Sequence, residues 1–351
     1  MTGIYFIRWP FNRLSGARSK NGRKQGGIHI KAIVCSKYGT PDVLQFTEVE
    51  KPVPKDDEVL VNIRAASVNY GNLVLLKGEP FLARFAFGLL KPKHPIPGGD
   101  IAGRVEAVGR EVKQFGPGDE VFGDLSGCGW GGFAEYAAVP ERALALKPAQ
   151  LSFEEAAAVP MAGVTALQGL RNKGNIRPGQ KVLIHGASGG VGTFAVQIAK
   201  AFGAEVTGVC STRNVDTLRS LGADYVIDYK KEDFKEKTQQ YDLILAVNGH
   251  QPLSAYKRAL RPGGIFVHVG GSGAQLTETM VRGPWISLIG NRKMSSMLQR
   301  QNQSDLVFIK ELLEAGNVKP VIDRSYTLSE VPEAFRYFAE GHAQGKVVIT
   351  V

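Results

Sequence analysis

Lys181-Val182-Leu183-Ile184-His185-Gly186-Ala187-Ser188-Gly189-Gly190-Val191-Gly192 is the stretch on which the fold turns. The apolar run Lys181–Ile184 predicts a buried strand, and glycines follow it at once. Behind them Val191, Phe194, Ala195, Ile198, Ala199 and Phe202 recur at three and four residues, so a helix beginning near Gly190 has one apolar face. Gly203 stands where a left-handed C-cap closes such a helix. The pattern G-x-G-x-x-G is met by Ala187-x-Gly189-x-x-Gly192, with alanine in the first position. Gly189 lets the backbone approach a pyrophosphate, and Gly192 lets the helix pack close to the sheet. The phosphates then sit over free N–H groups at the helix N-terminus. Ala187, Ser188, Gly189, Gly190, Val191 and Gly192 are therefore the candidate dinucleotide cradle.

Downstream the alternation continues. Glu205–Cys210, Tyr225–Asp228, Tyr241–Val247 and Gly264–Gly270 are strand-like, with helices over Val215–Leu221 and Leu253–Leu260. Strands alternating with helices predict a parallel, doubly wound α/β sheet of the Rossmann kind. An NAD site places an acid about twenty residues after the glycines. Here that count reaches Val209 and Cys210, followed by Ser211, Arg213 and Asn214. Hydroxyl and guanidinium groups donate to a 2′-phosphate that a carboxylate would repel, so the cofactor expected is NADPH. The other reading of Arg213 is a solvated residue at a helix start. Asn248, Gly270 and Gly271 end strands beside the expected nicotinamide position, and His185 reads as a packed strand residue.

The first part of the chain is mainly β. Ala32–Cys35, Leu44–Val49, Glu58–Arg64, Ile101–Val108, Glu120–Phe122 and Gly132–Val139 are short strand-like runs punctuated by Pro and Gly. Between them, Leu73 to Pro95 sets Phe81, Leu82, Phe85, Phe87, Leu89 and Leu90 among Arg84, Lys91 and Lys93. A short amphipathic helix there either covers a cleft or fills the core. At the far end Leu306–Ala315 and Glu330–Phe338 predict helices, and Gly345–Val351 a closing strand that returns to the first domain.

The 351 residues suffice for two domains, with 43% hydrophobic and 22% charged side chains. Six of the ten excess positive charges lie in residues 1–30, which carry no acid, so the remainder does not describe a nucleic-acid-binding surface. That basic extension reads as a solvated tail, as sequence upstream of the true start, or as an organelle-targeting segment. Cys35, Cys128 and Cys210 are odd in number and far apart, which suits a reducing compartment such as the cytoplasm. No apolar run reaches the ~20 residues of a membrane span.

The ordered motifs Ala66-Ser-Val-Asn69, Pro97-Gly-Gly-Asp100-Ile-Ala-Gly103, Gly118-Asp-Glu-Val-Phe122, Gly131-Gly-Phe-Ala-Glu-Tyr136 and Pro160-Met-Ala-Gly163-Val-Thr-Ala166 resemble the medium-chain dehydrogenase/reductase superfamily. Within it the chain is most similar to the zinc-independent quinone oxidoreductases related to zeta-crystallin. The resemblance implies a GroES-like catalytic domain over residues 31–150, completed by 316–351, around a Rossmann NADP(H)-binding domain over 151–315. It implies a homodimer, and a small carbonyl or quinone substrate bound between the domains. Relatives that use zinc carry Gly-His-Glu where this chain has Gly98-Gly99-Asp100, and they carry a four-cysteine lobe that is missing here. No metal is expected. Asn69 and Thr165 match cleft positions that donate to the acceptor oxygen, and the neighbouring Tyr70 is either a proton donor or a packing residue. Ser211, Arg213 and Tyr229 resemble the 2′-phosphate set, with Asn214 as the alternative to Arg213. Lys346 either faces the cofactor or is a salt-bridged strand lysine. Asn72 and Val74 depart from the family's aspartate and tyrosine. The expected reaction is NADPH-dependent reduction of a quinone or other α,β-unsaturated carbonyl. The alternatives are an enoyl thioester reductase and a cofactor-binding protein without turnover.

Overall fold

The computed structural model describes residues 27–232, 234, 238–247, 251–270, 278–281, 283, 287 and 291–351. The predicted contacts Asn248 and Gly271 lie outside them. In the first part β1 (His29–Cys35) and β2 (Leu44–Glu50) form an antiparallel ribbon. It begins two residues ahead of the expected Lys31. Next come β3 (Glu58–Val68), β4 (Asp100–Val108), β5 (Glu120–Asp124), β6 (Tyr136–Pro140) and β7 (Leu144–Leu146). Their alternation buries Val59, Val61 and Ile63 of β3 against Val121, Phe133 and Val139. Helix α1 (Tyr70–Lys77) follows β3 and is closed by Gly78 at φ +61. After a 3-10 turn, Phe81–Ala83, comes the single-turn α2 (Arg84–Phe87).

Helices α3 (Phe153–Ala157) and α4 (Pro160–Leu167) lead into the second part. There β8 (Lys181–His185), β9 (Glu205–Cys210), β10 (Tyr225–Asp228), β11 (Tyr241–Val247), β12 (Leu260–Val269) and β13 (Lys293–Met297) form a parallel sheet in the order β10-β9-β8-β11-β12-β13. Both faces are covered, as β8 illustrates. Val182 and Ile184 pack into the core that holds Phe194 and Ile198 of α5 (Gly190–Ala201). Leu183 faces Tyr256 and Phe266 on the opposite side. The strand order reverses between β8 and β11, so the glycine turn after β8 opens at the switch point where such sheets bind ligands.

The chain end returns. β15 (Lys346–Thr350) pairs antiparallel with β3 and parallel with β14 (Ile322–Thr327), inside the first sheet. Ala65, Ala102, Phe122, Ala145 and Val348 of that sheet share one buried cluster with α3, α4 and α5. The two parts are thus joined by apolar packing as well as by chain connections.

Candidate active site

The glycine turn forms as expected, with one correction. Gly186 sits at φ +78, and a Cβ there would stand 1.9 Å from the Val247 carbonyl oxygen. It is Gly186 that makes the tight turn. Ala187 is buried in the core and its N–H donates to the Val209 carbonyl at 3.1 Å, so it serves the fold rather than a phosphate. A Cβ on Gly192 would meet the Gly186 carbonyl at 2.1 Å, the close helix–turn contact that the spacing implies. Gly189 differs: a Cβ there would find only the Gly186 oxygen at 3.7 Å, which leaves the backbone open to an approaching ligand. Intrahelical bonding starts with Thr193 N–H to Gly189, so the N–H groups of Gly190, Val191 and Gly192 precede it. Ser188 lies in the same turn, between Ala187 and this open backbone. The cradle fits a pyrophosphate.

Ser211 follows β9 directly and is nearly buried, accepting from Asn214 Nδ2 at 3.3 Å. Asn214 is thus turned inward, with Oδ1 buried and unbonded, and does not replace Arg213 as the outward group. Arg213 is exposed and gives one N–H to the His342 carbonyl at 2.8 Å. Tyr229, exposed, follows the neighbouring strand β10, its N–H bonded to Cys210 at 3.0 Å. Asp228 escaped the count of twenty residues because it arrives by strand pairing opposite Cys210. Thr212 Oγ1 donates to its carboxylate at 2.7 Å and holds it below the usual carboxylate range.

The second half of the site is built around Asp100, which sequence comparison marks only as a missing zinc ligand. Asp100 is fully buried. Its Oδ2 accepts from Ser67 Oγ at 3.0 Å and Asn69 Nδ2 at 2.8 Å, and its Oδ1 accepts from Met161 N–H at 3.0 Å. Lys346 Nζ lies 3.5 Å from Oδ2 and donates to Asn69 Oδ1 at 2.5 Å. Burial raises the Asp100 carboxyl to about 6, with Lys346 opposing and Asp124 adding to the rise. Burial lowers the Lys346 ammonium. Lys346 forms the ion pair, with a partner on β4 rather than on its own strand. Its link to the cofactor turn runs through its methylenes, against which a Cβ on Gly190 would press at 2.9 Å.

Asn69 caps α1 and is held on both sides by this network, its backbone N–H also bonded to Asn72 Oδ1 at 2.7 Å. Its amide is committed to Asp100 and Lys346, so it orients the start of α1 rather than reaching toward an acceptor. Tyr70, the first residue of α1, is half-exposed. Thr165 is nearly buried in α4, the helix whose first turn supplies Met161 N–H. A Cβ on Gly99 would touch the Trp130 ring and the Met161 methyl, each at 3.3 Å, and Asp124 Oδ1 at 3.6 Å. Trp130, Met161 and Asp124 therefore surround the Gly98-Gly99-Asp100 stretch. Spacing alone does not signal this, because Asp124 ends β5, Trp130 lies in the loop after it and Met161 lies in the first turn of α4. His185 hydrogen-bonds Tyr256 through Nδ1 at 2.8 Å, the packed role expected of it. Gly270, at φ +67, closes β12. Among the described residues no three His, Cys, Asp or Glu side chains come together as metal ligands.

Residues 55–149 match the family model of the alcohol dehydrogenase GroES-like domain, and 221–349 match that of a zinc-binding dehydrogenase. The chloroplast envelope quinone oxidoreductase homolog of Arabidopsis thaliana is 35% identical over 337 residues, 92% of this chain and 99% of that one. The chloroplastic NADPH-dependent alkenal/one oxidoreductase of the same plant is 34% identical over 331 residues, 91% of this chain and 79% of that one. The solved quinone oxidoreductase of Coxiella burnetii is similar with a TM-score of 0.80 at 30% identity, covering 92% of this chain and 100% of that one. The phosphate turn, the Asp100 site without a ligand cluster and these likenesses agree: the chain belongs to the medium-chain dehydrogenase/reductase superfamily, in its zinc-independent quinone and enone oxidoreductase family.

Proposed function

We propose that the chain is an NADPH-dependent, zinc-independent reductase of a quinone or another α,β-unsaturated carbonyl. The observation that carries this reading is Lys346. Its methylenes lie against Gly190 at the phosphate turn, and its ammonium closes on Asn69 and Asp100 beside Trp130 and Met161. Cofactor cradle and acceptor site are thus two ends of one buried side chain. The names of the quinone and alkenal/one oxidoreductases among the relatives support the substrate class.

When bound, NADPH supplies the hydride that reduces the acceptor's conjugated bond. The chain supplies position and polarity. The N–H groups of Gly190, Val191 and Gly192 hold the pyrophosphate, and Ser211, Arg213 and Tyr229 receive the 2′-phosphate. The apolar walls of Trp130 and Met161 accept a flat, conjugated substrate and exclude water. Charge that develops on the acceptor oxygen is quenched by a proton, and we assign its delivery to Tyr70, exposed at the start of α1.

The test is cofactor choice. One or two charge-assisted bonds to the 2′-phosphate, each about 1.5–3 kcal/mol, imply a preference for NADPH over NADH of roughly tenfold to a thousandfold. Arg213→Ala is expected to weaken NADPH by about ten- to a hundredfold and to leave NADH nearly unchanged. Fluorescence titration of both cofactors reads this, followed by turnover on a panel of quinones and enones. Equal affinities in the wild type would remove the phosphate site, and tight NADPH binding with no turnover on any acceptor would remove the reductase.

A further inference from the structure

The segment from Phe81 to Leu90 leaves its apolar side chains in solvent. Leu82 is 75% exposed, Phe85 71% and Leu90 89%, with Phe81 and Leu89 more than half exposed. Of the two sequence readings, core helix is excluded by these values. The outward pose is built, because the inward side is pinned by polar anchors. Arg84 donates from Nε to the Gly78 carbonyl at 3.0 Å and stacks over the Tyr38 ring at 4.5 Å, while Tyr38 Oη donates to the Gly88 carbonyl. Gly88, at φ +122, then turns the chain so that Leu89 and Leu90 lead directly into exposed Lys91 and Lys93.

We propose that this face docks on an anionic lipid surface. A contiguous apolar patch of this kind marks an interaction site, and basic residues beside aromatic and aliphatic ones suit the headgroup boundary of a bilayer. Charge decides the occupant. From Gly78 to His94 the chain carries Arg84, Lys91 and Lys93 against the single acid Glu79. Because Arg84 is spent inward, Lys91 and Lys93 form the charged rim. A second copy packed on the same patch by two-fold symmetry would bring these lysines against their own images, whereas an anionic surface neutralises them. The chain needs no spanning helix for this, and no described helix is long and apolar enough to be one.

The patch also adjoins the candidate site. Phe87 packs edge-on against Trp130 with ring centroids 6.1 Å apart, so an acceptor dissolved in the lipid would enter beside Trp130. That last step rests on the proposed function; the docking itself does not.

The experiment is co-sedimentation of the full chain with vesicles of phosphatidylcholine alone and of phosphatidylcholine with phosphatidylserine. Binding to the anionic vesicles only, released by high salt, is expected. Lys91→Glu with Lys93→Glu is expected to lower the partition constant about tenfold or more. Leu82→Asp with Leu90→Asp is expected to abolish binding, and circular dichroism checks that the fold is kept, since both side chains already stand in water. Absence of sedimentation with anionic vesicles overturns the proposal. So does equal binding by wild type and both double variants. Dimerisation in ultracentrifugation that Leu82→Asp with Leu90→Asp abolishes, without vesicle binding, would assign the face to a second copy instead. Turnover on a water-soluble quinone is a separate reading, so failure of docking and failure of the reductase assignment are distinguishable.

Discussion

Asp100 meets four donors with two oxygens: Ser67 Oγ, Asn69 Nδ2, Met161 N–H and Lys346 Nζ. A proton on the carboxyl would turn one acceptor into a donor facing another donor, so the arrangement is made for the ionised form. Burial nevertheless raises the carboxyl to about 6. An unfolded aspartate ionises near 4, so between about pH 4 and 6 the native state binds the extra proton. Ionising Asp100 therefore subtracts from stability as the pH rises through that window. Activity runs in the opposite direction, because the ionised form holds Asn69 and the start of α1. We expect kcat/KM to fall about tenfold per unit below pH 6. In Asp100→Asn the acid limb is expected to vanish from a uniformly lowered profile, with about 3–5 kcal/mol of stability lost because Lys346 keeps a buried charge without its anion. Initial rates from pH 4.5 to 8 on both proteins decide it; a limb that persists unchanged in the variant belongs to another group.

Among the elements, the glycine turn separates fold from binding. Gly186→Ala would force an L side chain to φ +78 and into the Val247 carbonyl at 1.9 Å, and is expected to cost about 3 kcal/mol or more. Gly189→Ala has space in the protein, the nearest atom lying at 3.7 Å, and its φ of −81 is ordinary. Its melting temperature should stay near wild type while NADPH binding is lost to crowding at the pyrophosphate. A Gly189→Ala protein that binds NADPH normally would move the phosphates elsewhere. The same turn shows what local sequence reveals. The strand, the helix face and the close approach at Gly192 follow from periodicity over a dozen residues. Which residue takes the positive φ depends on a carbonyl of β11, some sixty residues away, so the pattern starting at Ala187 does not reveal that Gly186 makes the turn. Asp228 was hidden for the same reason, since parallel pairing of β10 with β9 brings it opposite Cys210. β13, Lys-Met-Ser-Ser-Met, has no apolar alternation to announce it and is ordered by its neighbour β12. The exposed Phe81–Leu90 run has strong hydrophobicity but no core to enter, which composition alone cannot distinguish from a buried helix.

In the whole molecule the buried pair gathers the first sheet, the chain end and the cofactor domain at one point. Asp100 belongs to β4, Lys346 to β15, Asn69 to the cap of α1 and Met161 to α4, and Lys346 also rests on Gly190 of α5. The 245 residues between the pair conceal it from any local pattern, although the return of the closing strand was legible. Apolar packing at Ala65, Ala102, Phe122 and Val348 joins the same parts without direction, whereas the ion pair fixes how they sit. These two contributions are separable. Lys346→Met keeps the length and packing of the stem but leaves a buried carboxylate without its cation, and is expected to cost about 3–5 kcal/mol. Asp100→Asn strands a buried ammonium in the converse way. Replacing both removes the two charges together, so the double variant is expected to be more stable than the sum of the single losses predicts, by about 1–3 kcal/mol. Urea unfolding of the four proteins at pH 7.5 measures the difference. NADPH titration of the same set reads the coupling to the turn: the double variant should stay folded yet bind the cofactor less tightly, because Met at 346 presses on Gly190 without an anchored end. Strict additivity of the two stability losses would mean that Asp100 and Lys346 act independently and that apolar packing alone holds the cleft closed.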